Sequence, residues 1–195
     1  MQPVTLDQIA GIERYEKIRD EFRKRIIEHK KQRRISVGEF ITFVFENRET
    51  VLFQIQEMLR AEHITDIDKV REELDCYNEL LPRPSELSST MLIEITEQDS
   101  VRERLVGLQG IEQCVRFEIG DRIVAGEFEG GRSKEDKLSA VQYVRFAFDE
   151  ESRRLFRDGK PPVRLVVDHP NYRAAATLTD AVRQSLAKDL ADDAA

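Results

Sequence analysis

Residues 36–63 read SVGEFITFVFENRETVLFQIQEMLRAEH and form a long apolar-rich segment in a protein in which 35% of residues are charged. Between Phe40 and Leu59 the charged residues are Glu46, Arg48, Glu49 and Glu57. A segment this apolar is expected to be buried on most of its circumference. An unpaired charge is costly to bury, so each charge inside the segment needs a partner or a function. We therefore expect this segment to form the centre of the fold.

Three helices are predicted before Pro82. Thr5 and Gln8 form a possible capping box, and apolar residues recur at helical spacing from Ile12 toward Arg33. A second helix is predicted to start at a Ser36–Glu39 capping box and to continue toward His63. The β-branched and aromatic run FITFVF, from Phe40 to Phe45, also suits a strand, and the sequence leaves that alternative open.

The third predicted helix follows Asp66, whose side chain can cap it. Because the links between the three helices are short, an antiparallel bundle is expected.

Beyond Pro84 the apolar period changes to two, which indicates strands. Gly120–Asp121 lies between two such strands and predicts a hairpin turn. The predicted strands are residues 91–95, 115–119, 123–128, 140–148 and 163–167. The predicted helices of this part are residues 101–108, 150–157 and 178–190.

These patterns predict an α+β protein, with an N-terminal antiparallel helical bundle packed on a C-terminal, mainly antiparallel sheet with short helices. The predicted division is a helical region at residues 1–82, a sheet region at 85–190 and a frayed tail at 191–195.

Composition restricts the class of protein. Hydrophobic residues make up 40% of 195 residues, which is enough for a core. The apolar runs fall short of the roughly 18 residues that cross a bilayer, and no secretory signal is apparent. Cys76 and Cys114 are far apart and suit reduced thiols, so we expect a cytoplasmic protein without membrane attachment.

The basic run HKKQRR, residues 29–34, is one candidate for a nucleic-acid patch. It also suits the C-terminal end of a helix, where the macrodipole favours cations. Because the whole chain carries a net charge of −7, we favour the helix end and expect no nucleic-acid partner.

Metal chemistry is not indicated. Glu46 and Glu57 would be about 16 Å apart along a continuous helix, too far to share an ion. The Glu-x-x-His spacing of di-iron bundles is missing, because Arg60 stands three residues after Glu57. We therefore predict no metal and no cofactor.

The polar residues of the apolar segment, together with a few others, form either a buried network or the lining of a ligand site between bundle and sheet. We expect Glu46, Arg48, Glu57 and Arg60 to be mostly buried and paired with charges. The candidate residues are Glu46, Asn47, Arg48, Glu57, Arg60, Tyr77, Asn78, Glu86, His169 and Tyr172.

Five strings carry a family resemblance: FENRETVLFQIQEMLRAEHI, ELDCYNELLP, ELSSTMLIEI, SAVQYVRF and VDHPNY. They resemble a bacterial family catalogued as a domain of unknown function, number three-five-zero-one, over nearly the full chain. The resemblance implies a family without an assigned activity, whose genes often lie beside rubrerythrin-like and iron–sulfur oxidoreductase genes. That context suggests redox or peroxide stress, by association only.

Two function classes follow. The first is a non-catalytic accessory protein of a redox or peroxide-stress system, with a redox protein as partner. The second is an enzyme or small-ligand-binding protein that uses the candidate residues above. Whether the chain is an enzyme stays open. The first helix carries more apolar side chains than one buried stripe requires. Apolar side chains left exposed usually mark an interface, and the commonest such assembly is a two-fold dimer, so we expect a homodimer.

Overall fold

The computed structural model describes residues 1–96, 101–130 and 139–191. Short 3-10 helices lie at Leu6–Gln8 and Ile111–Gln113. The α-helices within the described ranges are α1 (Ile12–Lys31), α2 (Arg48–Ala61), α3 (Ile67–Asn78), α4 (Val101–Gly107), α5 (Glu150–Asp158) and α6 (Asp180–Asp189). The strands there are β1 (Arg34–Val37), β2 (Ile41–Phe45), β3 (Glu86–Ile93), β4 (Val115–Ile119), β5 (Arg122–Phe128), β6 (Val141–Ala147), β7 (Val163–His169) and β8 (Tyr172–Thr177).

The eight strands form one antiparallel sheet in the order β1-β2-β3-β6-β5-β4-β7-β8. The sheet curls until β1 lies beside β8, so it is nearly a barrel. The Tyr172 hydroxyl on β8 donates to the Val37 carbonyl on β1 at 2.5 Å and accepts from the Phe40 amide at 3.4 Å. Gly38 has a φ of +74°, and a Cβ there would overlap the Tyr172 hydroxyl. The Tyr172 side chain, rather than a ladder of main-chain hydrogen bonds, therefore joins β1 and β8, the two edge strands of the sheet.

Aromatic side chains fill the interior of the near-barrel. Phe117 lies at the centre, with its ring 4.7 Å from Phe146 and 6.0 Å from Phe156, centroid to centroid. Leu186 of α6 is buried in the same core. The alternation of buried and half-exposed residues along β4 follows from one face pointing into this core.

A second core lies outside the near-barrel, between α2, α3 and the N-terminal residues. α2 contacts both α1 and α3 and is therefore the middle helix of a helical layer. The buried apolar members of this core are Val4, Val51, Ile55, Leu59, Val70, Leu74, Leu80 and Leu81.

The region from Ser36 to Phe45 differs from the predicted helix. It forms β1 and β2, and helix α2 begins later, with Asn47 as its N-cap. All five residues of β2 are buried, and Ile41, Phe43 and Phe45 belong to the core of the near-barrel. A strand that is buried on both faces is apolar at every position, without the usual alternation. Such an unbroken apolar run also fits the spacing of a buried helix, which is why the sequence suggested a helix here. The strand alternative for Phe40–Phe45 is right, and the predicted N-terminal bundle is not confirmed.

Other predictions agree with the structure. The fold is α+β, Asp66 caps α3, and Gly120–Asp121 forms the β4–β5 turn. β8 was not predicted, because YRAAAT lacks large apolar residues. The division at Pro82 stays a prediction, although strands from both sides of it share one sheet. Residues 192–195 of the predicted tail lie outside the described residues.

Candidate functional site

The ten candidate residues lie in five places rather than in one pocket. His169 and Tyr172 lie in the β7–β8 hairpin. They are far from the other candidates in the sequence, and their hydrogen bonds go to residues outside the candidate set. The other four places are the start of α2 (Glu46, Asn47, Arg48), the contact between α1 and α2 (Glu57, Arg60), the end of α3 (Tyr77, Asn78) and the start of β3 (Glu86).

Glu46 joins the sheet to α2. Its side chain is buried, and its carboxylate accepts hydrogen bonds from the Thr50 hydroxyl at 2.5 Å and the Thr90 hydroxyl at 2.8 Å. The predicted burial of Glu46 is confirmed. The prediction that it pairs with a charged residue is wrong, because its two partners are hydroxyl groups. Both carboxylate oxygens therefore have donors inside the protein.

Asn47 and Arg48 form the start of α2. The Asn47 side chain accepts from the Thr50 amide at 3.1 Å, which caps the helix, and its Nδ2 lies 2.9 Å from His29 Nε2. Arg48 is half-buried and donates to the Gln8 side-chain oxygen. The prediction that Arg48 is paired with a charge is therefore wrong, because its partner is a neutral amide.

Glu57 holds α1 against α2. Its carboxylate accepts from Arg19 through two hydrogen bonds of 2.8 Å and from the Tyr15 hydroxyl at 2.8 Å. The hydrogen bond from Arg19 lowers the pKa of Glu57, while burial and Glu57 raise the pKa of Tyr15. Arg60 makes a neighbouring ion pair with Glu16 at 2.6 Å and is only half-buried. Glu57 is thus held ionised and paired, which suits a helix clamp.

Substituting Glu57→Gln is expected to lower the free energy of unfolding by about 1.5 kcal/mol at pH 7, because charge-assisted hydrogen bonds become neutral ones. A carboxylate whose pKa is lowered in the folded state stabilises above its ordinary pKa of 4.5, and that contribution is lost as the pH falls through the folded value. The difference from wild type should therefore shrink below pH 4.5. Urea denaturation across this range measures it, and a difference independent of pH would contradict the assignment.

The end of α3 and the start of β3 hold two more satisfied polar groups. The Asn78 amide accepts from the Val4 N–H at 2.8 Å and donates to the Val4 carbonyl at 3.0 Å. Glu86 is buried and pairs with Arg145 at 3.1 Å. Burial raises the pKa of the half-buried Tyr77 hydroxyl, which keeps it protonated.

His169 has main-chain partners on both ring nitrogens. Nε2 lies 2.9 Å from the Gln109 carbonyl oxygen, and Nδ1 accepts from the Asn171 amide at 3.2 Å. A carbonyl can only accept and an amide N–H can only donate, so these two bonds suit a ring with its proton on Nε2. The arrangement gives His169 a structural role in the turn rather than a free lone pair for general-base chemistry.

Sequence reasoning missed the buried ion pair between Arg33 and Asp189. The Arg33 guanidinium donates to the Asp189 carboxylate, to the Phe45 carbonyl at 2.8 Å and to the Glu46 carbonyl at 3.1 Å. Burial raises the pKa of Asp189 despite this partner. In the sequence, Arg33 is one member of a basic run, and nothing there distinguishes it from its solvent-exposed neighbours.

A second buried arginine was also missed. Arg183 of α6 donates hydrogen bonds of 2.6 Å to the carbonyl oxygens of Leu155, Phe156 and Pro161. These carbonyls lie at the end of α5 and in the link to β7, where backbone acceptors lack helical partners. Burial lowers the pKa of Arg183. Its position beside Val182 gave no sign that it would be buried.

Thiol and metal chemistry find little support among the described residues. No group of three His, Cys, Asp or Glu side chains in that part of the chain is placed to hold an ion. Cys76 and Cys114 are free thiols, and burial raises the pKa of Cys114, which disfavours its thiolate. None of the helices in the described ranges is long and apolar enough to cross a membrane.

An open groove of about 820 Å³ lies between the N-terminal residues, α1 and α2. Its apolar lining is Ile9, Ala10, Ile18, Phe22 and Leu52, and its charged lining is Asp7, Arg14, Glu21, Lys24, Arg25 and Glu28. Charges of both signs around apolar side chains resemble a protein–protein contact surface more than a site for one small ion.

Comparison with known proteins relates the chain to proteins without an assigned activity. No curated protein sequence matches it. A crystal structure described as a novel protein of unknown function from Burkholderia pseudomallei K96243 is similar, with a TM-score of 0.90 and 34% sequence identity, over 97% of this chain and 100% of that chain.

The family model described as "Protein of unknown function (DUF3501)" matches residues 3–190, which is nearly the whole chain and includes both the near-barrel and the helical layer. This agrees with the resemblance noted in the sequence. The chain therefore belongs to the DUF3501 family of proteins of unknown function.

Proposed function

We propose that this protein is a non-catalytic accessory protein of a cytoplasmic redox or peroxide-stress system, which acts as a homodimer and binds a redox protein through its surface. The observation that carries the proposal is the internal bonding of three of the candidate residues. Glu46, Glu57 and His169 each direct both of their polar atoms at partners within the protein. Groups bonded in this way stabilise a fold and are poorly placed to act on a substrate.

The alternative, a ligand site between helical layer and sheet, has less support. The polar groups on that boundary, Glu46, Thr50 and Thr90, bond to one another and are buried. A ligand would have to break these bonds to enter. The open groove lies instead on the outside of the helical layer.

The homodimer is supported by apolar groups left exposed on α1. Ile18 and Ile27 are each 45% exposed, although Tyr15 and Ile26 on the same helix are buried. Light scattering at micromolar concentration is expected to give twice the monomer mass of 22.7 kDa. The monomer mass across the whole concentration range would contradict the homodimer.

The accessory role is tested in cells. Deleting the gene is expected to lower peroxide tolerance, and the wild-type gene should restore it. Glu57→Gln and His169→Gln variants that remain folded should restore tolerance as well, because neither residue performs chemistry in this proposal. A folded His169→Gln protein that fails to restore tolerance would favour the enzyme alternative. Unchanged tolerance after deletion would contradict the redox assignment.

A further inference from the structure

The start of α2 is joined to the end of α1 by a hydrogen bond between two side chains. Asn47 is the N-cap of α2, and its Nδ2 atom lies 2.9 Å from Nε2 of His29, which is in the last turn of α1. Both side chains are half-buried. The contact therefore links a group that can gain a proton to the cap of a helix.

The main chain of Thr50 determines which end of the Asn47 amide faces His29. The Thr50 N–H can only donate, and Oδ1 of Asn47 accepts from it at 3.1 Å. The NH2 end of the amide is therefore the end that points at His29, and it can only donate. This bond suits a His29 ring that is neutral and has its lone pair on Nε2.

A second proton on the ring removes that lone pair. Histidine is the side chain that ordinarily changes its charge between pH 5 and 8. With Nε2 of His29 protonated, two donors face each other unless the Asn47 amide turns over and presents Oδ1 to the imidazolium. A hydrogen bond from a charged ring is stronger than one from a neutral main-chain N–H, so the amide turns over and the Thr50 N–H loses its acceptor.

The surroundings of His29 contain groups that favour a charge on the ring and groups that oppose it. Asp189 of α6 favours the charge, and so does the C-terminal end of α1. Arg33, which is already paired with Asp189, and the N-terminal end of α2 oppose it. The charged groups on the elements that meet here are Lys30, Lys31 and Arg33 at the end of α1, Glu46, Arg48 and Glu49 at the start of α2, Asp189 of α6 and the Met1 amino group.

We propose that His29 and Asn47 form a pH-sensitive switch at the start of α2. Asn47 caps the helix while His29 is neutral, and it binds the imidazolium instead when His29 is protonated. The same turn of α2 is joined to the sheet, because the Thr50 and Thr90 hydroxyls both donate to Glu46. Acidification therefore loosens the first turn of α2 and its attachment to β3. The switch goes beyond the accessory function, since it gives the protein a response to pH that needs no partner.

Hydrogen exchange of the Thr50 amide tests the switch in the full-length protein, by NMR and with correction for the intrinsic effect of pH on exchange. Between about pH 7.5 and pH 5.5, wild type is expected to lose about fivefold or more of its protection at this amide, as for the loss of an N-cap. His29→Gln should show no such loss, because the glutamine carbonyl accepts from Asn47 at either pH. His63→Asn is the matched control. His63 is exposed and has a φ of +54°, which asparagine tolerates, and this variant should respond to pH as wild type does.

Two results of the exchange experiment would overturn the switch. The first is a protection of Thr50 in wild type that does not depend on pH. The second is an equal loss in His29→Gln, because every carboxylate is the same in the two proteins. A further measurement needs no variant: the ring-nitrogen chemical shifts of wild type should show no proton on Nε2 of His29 at about pH 7.5. A proton on Nε2 at that pH would overturn the switch even if His29→Gln does not fold.

Discussion

Replacing Arg33 by methionine is expected to lower the free energy of unfolding by roughly 4 kcal/mol, the cost of removing one partner from a buried ion pair. The Arg33 side chain is 1% exposed and that of Asp189 is 7% exposed, so water cannot replace the lost guanidinium. The carbonyls of Phe45 and Glu46 lose a donor at the same time. Urea denaturation followed by circular dichroism measures the change.

Arg34→Met is the matched control. Arg34 is the next residue in the chain, but its ion pair with Glu94 is about half exposed. Exposed pairs of this kind contribute about 0–1 kcal/mol. Equal losses in the two variants would show that the basic run, rather than the buried pair, determines stability.

The pH dependence gives a second check on Arg33→Met. Burial raises the pKa of Asp189, so the folded state binds this proton more readily than the unfolded state. Without Arg33, an ionised Asp189 is costlier still, and protonation relieves that cost. The difference in the free energy of unfolding between Arg33→Met and wild type should therefore become smaller as the pH falls from 7 toward 3.8, the ordinary pKa of aspartate.

Replacing Arg183 by methionine is expected to cost roughly 3 kcal/mol, because three backbone carbonyls lose a charged donor and methionine supplies none. Arg183→Lys should recover only part of this, since an ammonium group cannot match the fork of a guanidinium. Arg157→Met, at an exposed position near the end of α5, is the control. A melting temperature for Arg183→Met equal to that of the control would contradict the role assigned to Arg183.

The sequence pattern was sufficient for helices and strands that have one buried face and one exposed face. β4 alternates because one face is buried, and α3 has an Asp66 cap and an apolar stripe. Phe40–Phe45 could not be assigned, because a strand covered on both faces and a buried helix are equally apolar. What decides it is the pairing of β2 with β3, a strand that is distant in sequence.

The polar interior was harder to predict than the fold. Arg33 and Asp189 are 156 residues apart, and their pairing depends on how the sheet curls. The ten candidates were chosen for being polar in apolar surroundings or near strand ends, which identified the buried Glu46, Glu86 and His169. That criterion could not show that their partners would be hydroxyls, an arginine and main-chain groups.

The joining of β1 to β8 by Tyr172 has a mechanical consequence. In a barrel closed by a full ladder, every strand is hydrogen-bonded to a strand on both sides. In this protein β1 and β8 have a strand partner on one side only, which leaves a seam along the length of the near-barrel, a slit in an otherwise closed wall. Thermal breathing should concentrate at that slit, where backbone groups lack a strand partner. A single phenol then limits how far the near-barrel can widen, and with it the access of solvent to the aromatic interior.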